Sequence, residues 1–344
     1  MAIYFLSPDY AFPSGGVRVI YRHVDILNAH GIEAYVLHRK HGFRCEWFEN
    51  STPIVYLDST YMRRAYFKLR ERFKPGRSRE WFLRNARTSQ IGPEDVLVLP
   101  EINGPEMANM ALGVPKVILN QGCYLTFQGY PLDQDQLMTP YGHPEFKAVL
   151  TNSIDGLQYL KYVFSNIQVG HFRPSIDTNL FQYRRDKKKQ ICFTTRKNEL
   201  LFRQIINILK FRGALRDFEL VSFAGITQTE VARIFQNAAI YLSFATYEGF
   251  GLPPAEAMAC GCIVIGFDAG GGKEFFLPEF SYPVEHSDVI GYARIVEQVI
   301  KEYSVDPASL LAKGKAASEY IHHNYSTKRE EQDVVEFWRG VLKT

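Results

Sequence analysis

The sequence is short of most features that would mark a secreted, membrane-spanning or nucleic-acid-binding protein. Its five cysteines, Cys45, Cys123, Cys192, Cys260 and Cys262, are few and odd in number for 344 residues, and they lack zinc-type spacing. They argue against a disulfide framework and read as reduced thiols of a cytoplasmic protein, with Cys260 and Cys262 as small packing residues on either side of Gly261. A formal charge of +3 is too small to argue for nucleic acid as a partner. No run approaches the roughly 18 apolar residues of a membrane helix. No His/Cys set has metal-ligand spacing, so neither a metal nor another cofactor is expected. Short-period repeats and low-complexity tracts are absent too. The start, MAIYFL, carries no basic leader and is expected to be a first strand rather than a signal peptide.

What is present is an α/β rhythm. With 344 residues and 46% hydrophobic content, about two globular domains are expected. Residues 2–6 form an apolar strand, 7–16 a loop ending in Ser14-Gly15-Gly16, and 17–29 a helix with Val17, Ile20, Val24 and Leu27 on one face. Strands are expected over 34–37, 95–100, 116–120, 146–152 and 167–172, and helices over 104–112 and 154–164. A boundary is placed near residue 172. The second half repeats the pattern: strands over 190–195, 218–223, 240–244 and 262–267, helices over 199–210, 227–238, 289–303 and 307–320. A final amphipathic helix covers 328–342.

One segment departs from this rhythm. Residues 61–90 hold ten Arg or Lys against two acids, with Tyr66, Phe67, Phe73, Trp81 and Phe82 interleaved. Such a segment can lie on an anionic bilayer or grip an anionic acceptor, and its long basic stems can equally cover a sheet. The expected location is therefore cytoplasmic, with peripheral contact at the inner membrane face through 61–90.

The chain is organised around residues 241–276, YLSFATYEGFGLPPAEAMACGCIVIGFDAGGGKEFF. Two apolar strands flank the loop Glu248-Gly249-Phe250-Gly251-Leu252 and a helix entered through Pro253-Pro254. Proline suits the first turn because the amide it lacks would have no intrahelical partner. The amides of Gly249, Phe250, Gly251 and Leu252 then sit unpaired at the positive end of a helix, a ready site for phosphate. Glu248 and Glu256 would repel phosphate, so their use there is to accept hydrogen bonds from hydroxyls, sugar and ribose being the obvious donors. At the end of the 190–195 strand stand Arg196 and Lys197, two cations placed to neutralise a diphosphate.

The segment YEGFGLPPAEAMACGCIVIG closely resembles the signature of family-four retaining glycosyltransferases, whose motif is two glutamates separated by seven residues. Glu248 and Glu256 fit it. The resemblance implies the GT-B fold: two Rossmann-like α/β domains facing a central cleft, with a C-terminal helix crossing back to the N-terminal domain. It implies an acceptor-binding domain over 1–172, a nucleotide-sugar-binding domain over 173–326 and the returning helix over 327–344. It further implies that Glu256 holds the nucleotide ribose, that Glu248 contacts the donor sugar, and that Gly15 and Gly16 face the donor phosphates. Family members carry the arginine and lysine of the Arg196–Lys197 site several residues apart; here they are adjacent.

Many members also have a histidine after the fifth or sixth strand of the first domain. Here the corresponding residues are Asn120-Gln121-Gly122, and Gln121 can hydrogen-bond sugar hydroxyls but cannot shuttle a proton. The leaving phosphate could then accept the acceptor's proton, with Arg196, Lys197 and the loop amides stabilising the developing charge. The expected activity is metal-independent, retaining transfer of a sugar from a nucleotide diphosphate-sugar to a carbohydrate or lipid-linked acceptor. Two rival readings are a nucleotide-sugar 2-epimerase on the same architecture and a non-catalytic donor-binding subunit of a paired transferase. Glu274, after the Gly270-Gly271-Gly272 turn, either faces the ligand or caps the following helix.

Overall fold

The computed structural model describes residues 1–57, 91–133 and 137–343. The basic segment 61–90 lies outside the described residues. The chain divides into two compact units: Met1–Asn152, Gly156–Phe172 and Glu331–Thr344 in one, Ser153–Asp155 and Arg173–Glu330 in the other.

The first unit contains β1 (Ile3–Leu6), α1 (Gly15–Ala29), β2 (Ala34–His38), β3 (Ile54–Tyr56), β4 (Val96–Pro100), β5 (Lys116–Asn120), β6 (Phe146–Thr151), α2 (Ile154–Val163) and β7 (Gln168–His171). The strands form one parallel sheet in the order β3-β2-β1-β4-β5-β6-β7. Strands β1, β4 and β5 are buried along their whole length. Continuous apolar runs of this kind suit a parallel sheet covered on both faces. One face packs Phe5, Val98 and Val117 against α1, and the other packs Leu97, Leu99 and Ile118 against Tyr141 and Leu160.

Two of these elements differ from the sequence reading. The expected helix over 104–112 is a pair of tight 3-10 turns over Glu101–Asn109, broken at Gly104, whose φ of 56° is left-handed. Pro105 supplies the physical reason, since it disfavours the α conformation for the residue before it. Strand β3 was not anticipated; three residues are too few to show a period.

The second unit contains β8 (Lys188–Thr194), α3 (Glu199–Phe211), β9 (Glu219–Phe223), α4 (Gln228–Asn237), β10 (Ala238–Ser243), α5 (Leu252–Ala259), β11 (Ile263–Gly266), β12 (Ser281–Pro283), α6 (Val289–Val305) and α7 (Ala308–Asn324). Its sheet, order β12-β11-β10-β8-β9, is again parallel. Helices α3 and α6 cover one face and α4, α5 and α7 the other. All five cysteines are free and buried, and Cys260 and Cys262 pack in the core beneath α5.

The last helix, α8 (Thr327–Val341), belongs to the first unit from Glu331 onward. Its Val334, Val335, Phe337, Trp338 and Val341 join the core that holds Phe5 and α1. Gly170 on β7 makes this possible, because a Cβ there would run into the Phe337 ring.

Candidate functional site

In the second unit the chain winds from β8 to β9 on one side and returns to β10 on the other. The carboxyl ends of β8 and β10 therefore flank a topological switch point, where open parallel sheets bind ligands. Residues 194–197 leave one of these ends and residues 244–251 the other.

The loop after β10 is held by the turn that follows β11. The Glu248 amide donates to the Ala269 carbonyl at 2.9 Å, and the Gly271 amide returns to the Glu248 carbonyl at 3.2 Å. Gly271 has to be glycine, since a Cβ would overlap the carbonyl oxygens of Gly249 and Glu248. Gly251 caps α5 with φ 94° and ψ 61°, a left-handed conformation that glycine adopts without steric cost. The turn leaves the amides of Gly249, Phe250, Gly251 and Leu252 without a hydrogen-bond partner among the described residues. Four donors thus stay open at the positive end of α5, the arrangement that binds phosphate.

The two acids flank this end. Glu256 lies in α5, almost fully buried, with the Gln228 amide nitrogen 3.5 Å from its Oε1. Glu248 is half-buried and pairs with Lys197, Nζ to Oε1 at 2.5 Å. The buried Tyr241 hydroxyl has its pKa pushed well above the usual phenol range, by burial first and then by nearby charges that include both Glu248 and Glu256. The structure therefore brings Glu248, Glu256, Lys197 and the loop amides into one neighbourhood. Arg196 stands beside them, exposed, its guanidinium without a partner among the described residues. Of the two adjacent cations, the lysine is committed to Glu248 and the arginine is available.

Glu274 does not cap the following helix. It accepts the Ile154 amide at 2.6 Å and the Tyr325 hydroxyl at 2.9 Å, while burial raises its pKa.

In the first unit, Gly15 and Gly16 form the opening turn of α1 rather than a loop before it. The Gln121 Nε2 donates to the Gly16 carbonyl at 3.0 Å, and a Cβ on Gly16 would press on the Gln121 amide at 3.3 Å. Two further residues surround Gln121. The Asn152 Nδ2 donates to its carbonyl at 3.2 Å, and the buried Glu101 carboxylate lies beside Gly122, where a Cβ would stand 3.4 Å from its Oε1. Neither was found by sequence reasoning. Glu101 sits in a Pro-Glu pair at a strand end, and a polar residue closing an apolar run was the only signal available. The sequence does contain an Asp-x-Asp triplet, Asp133-Gln134-Asp135, but residues 134–136 lie outside those described. Among the described residues no group of three or more His, Cys, Asp or Glu could hold a metal ion, and no helix is long and apolar enough to cross a membrane.

Comparison with known proteins places this geometry. The pneumococcal O-GlcNAc transferase GtfA, solved in complex with UDP and GlcNAc, superposes with a TM-score of 0.67 at 11% identity, over 100% of this chain and 98% of that one. The likeness establishes the fold as GT-B: two parallel α/β units of Rossmann type. Residues 212–316 match the family model of glycosyl transferases group 1. An alpha-1,6-glucosyltransferase of Actinobacillus pleuropneumoniae serotype 7 (strain AP76) is 27% identical over 194 residues, 52% of this chain and 54% of that protein. The lipopolysaccharide core biosynthesis mannosyltransferase LpcC of Rhizobium leguminosarum bv. viciae is 29% identical over 109 residues, 31% of this chain and 30% of that protein. The matches thus span about half the length of the first relative and about a third of the second.

Proposed function

We propose that the chain is a retaining glycosyltransferase that moves a sugar from a nucleotide diphosphate donor to a carbohydrate or lipid-linked acceptor. The observation that carries this reading is the set of four open amides at the start of α5, flanked by Glu248 and Glu256. The second unit is assigned the nucleotide sugar and the first the acceptor. The diphosphate rests on the loop amides and Arg196, Glu256 accepts from the ribose hydroxyls, and Glu248 accepts from the sugar. Lys197 aims the Glu248 carboxylate through their ion pair.

As the bond from the anomeric carbon to the leaving phosphate breaks, negative charge grows on that phosphate. Fixed donors aimed at growing charge lower the barrier more than they stabilise the ground state. The acceptor hydroxyl attacks the same face and passes its proton to the departing phosphate, so Gln121 need not shuttle one. The charge is met by amides and a guanidinium, so a chelator should leave turnover unchanged.

A thermal-shift screen against nucleotide sugars tests the reading, beginning with UDP-sugars because of the UDP bound by the pneumococcal neighbour. A ligand at 100 times its Kd adds about 2.7 kcal/mol to native-state stability. No shift with any nucleotide sugar would remove the proposal. Glu256→Ala is expected to weaken nucleotide binding, whereas Glu248→Ala should slow transfer more than it weakens binding. Binding of a nucleotide sugar with neither transfer nor hydrolysis would favour a non-catalytic donor-binding subunit; turnover of donor without acceptor into an isomeric sugar nucleotide would favour a 2-epimerase.

A further inference from the structure

Tyr10 and Phe12 stand in the loop that leads from β1 to α1, and both keep their rings in water, 39% and 62% exposed. A single exposed apolar residue is ordinary. These two rings, however, stack on each other, with centroids 5.0 Å apart and planes within 15°. Offset stacking of this kind joins them into one flat apolar surface. In the sheet, β1 lies between β2 and β4, where the winding β1-β2-β3 gives way to β4-β5-β6-β7. The loop after β1 therefore flanks the switch point of this sheet, the place where such sheets take ligands.

The backbone under the rings is tied down. Asp9 receives His38 Nδ1 at 2.7 Å on Oδ1 and the Lys40 amide at 3.1 Å on Oδ2. A carboxylate only accepts, so Nδ1 carries a proton. At the far side of the fully buried imidazole, Nε2 meets the Tyr21 hydroxyl at 2.7 Å, and that oxygen also accepts the Cys45 amide at 3.3 Å. The Tyr10 carbonyl accepts the Trp47 indole N–H at 3.3 Å. Asp9 itself keeps 23% of its side chain in water. A carboxylate offers about four acceptor positions; His38 and Lys40 take two of them, and the rest stay open beside the rings.

We propose that Asp9, Tyr10 and Phe12 form a subsite for a pyranose ring of the acceptor. A pyranose presents C–H bonds on its faces and hydroxyls around its rim. The stacked rings give such a face an apolar surface on which to shed its water, and the neighbouring carboxylate gives the rim hydroxyls an acceptor. The same features disfavour a bilayer as the occupant. Residues 7–16 carry a single charged side chain, Asp9, which an anionic membrane surface would repel. The subsite stands on the geometry of the first unit alone. Its use for an acceptor rests on the glycosyltransferase reading, which it narrows to an acceptor that ends in a sugar ring.

Saturation-transfer NMR on the full chain reads the contact directly, with methyl β-D-glucopyranoside, methyl β-D-galactopyranoside and methyl α-D-mannopyranoside as probes. At least one glycoside should be saturated, most strongly at the C–H protons of a single ring face. Its affinity should fall about tenfold in the double variant Tyr10→Ala, Phe12→Ala. The melting temperature should hold, because both rings are exposed. Asp9→Asn, which replaces one acceptor oxygen by a donor, should lower the affinity severalfold. No saturation with any of these probes, saturation spread evenly around the ring, or an unchanged affinity in the double variant overturns the proposal. So does a double variant that instead loses its sedimentation with phosphatidylglycerol vesicles, which would make the rings a membrane contact. A thermal shift with UDP-glucose is measured alongside. That shift without glycoside contact overturns the subsite and leaves the glycosyltransferase reading standing. Glycoside contact that depends on Tyr10 and Phe12, in a protein that no nucleotide sugar stabilises, supports the subsite and overturns that reading instead.

Discussion

The two units build their crevices by opposite means. In the second, the groups that matter run almost contiguously from Glu248 to Glu256, and a single loop–helix turn puts amides and acids side by side. In the first, Gly16, Glu101, Gln121 and Asn152 come from four strand ends scattered over more than a hundred residues. A contiguous site can be copied as a motif. A dispersed one exists only because a parallel sheet stacks its carboxyl ends along one edge. The second unit is thus a local device on a scaffold, whereas in the first unit the scaffold is the device.

Substitutions in each unit put that contrast to the test. The largest effect is expected from Trp338→Ala in α8. Trp338 is fully buried in the first unit's core and touches Phe5 and Phe337. Truncating such a side chain costs about 3–5 kcal/mol, read as a shift of the urea midpoint for the first unit. A loss below about 1 kcal/mol would mean that the helix is not integral to that unit.

Next comes Gly271→Ala in the second unit. A methyl group there meets the backbone oxygens of Glu248 and Gly249, not a side chain that can swing away. Overpacking of this kind costs about 2–3 kcal/mol, and nucleotide binding should fall with it. Unchanged binding and stability would show that the loop is not braced by that turn.

His23 probes the first unit again, through pH. It lies fully buried with its ring 4.4 Å from Phe172, neither ring nitrogen has a hydrogen-bond partner among the described residues, and burial lowers its pKa to about 3. The folded protein holds it neutral, while the unfolded chain protonates it below its ordinary value of 6.5. Its folded pKa is the lower one, so stability is retained above pH 6.5 and lost as pH falls. The loss between pH 7 and pH 5 is about 2 kcal/mol. His23→Leu should flatten the acid side of the stability profile by that amount. An unaltered profile would locate the acid sensitivity elsewhere.

The smallest effect separates the adjacent cations. Arg196→Ala should weaken nucleotide diphosphate binding about tenfold, the worth of one charge-assisted hydrogen bond, with little change in melting temperature. Lys197→Ala should act mainly through Glu248, slowing transfer more than it weakens nucleotide binding. Equal losses of nucleotide affinity would show that both cations touch the diphosphate.

The legible parts of this protein were those with short range in sequence. The apolar runs of β1, β4, β5, β8 and β10 read directly, as did the helix stop–start signals around them. The Glu248–Glu256 loop read well because each part of it is local: glycines for the turn, prolines for the first helical turn, acids at either end. The reading faltered where a local breaker was passed over and where distant contacts decide. At Glu101–Asn109 a helix-like composition was overridden by Gly104 and Pro105. Glu274 binds the Ile154 amide, over a hundred positions earlier, instead of capping the following helix. The Lys197–Glu248 ion pair, across 51 positions, likewise had no signal in the sequence.

Sequence alone therefore determined the alternation of strands and helices, the open amide loop and the pair of acids around it, because backbone propensity and helix-end chemistry act over a few residues. Only the tertiary structure decided which cation is free, what α8 packs against, and that a buried glutamate lies beside Gly122. Those outcomes depend on strand order, and strand order is chosen by burying both faces of a sheet at once, a condition that no short stretch of chain can express.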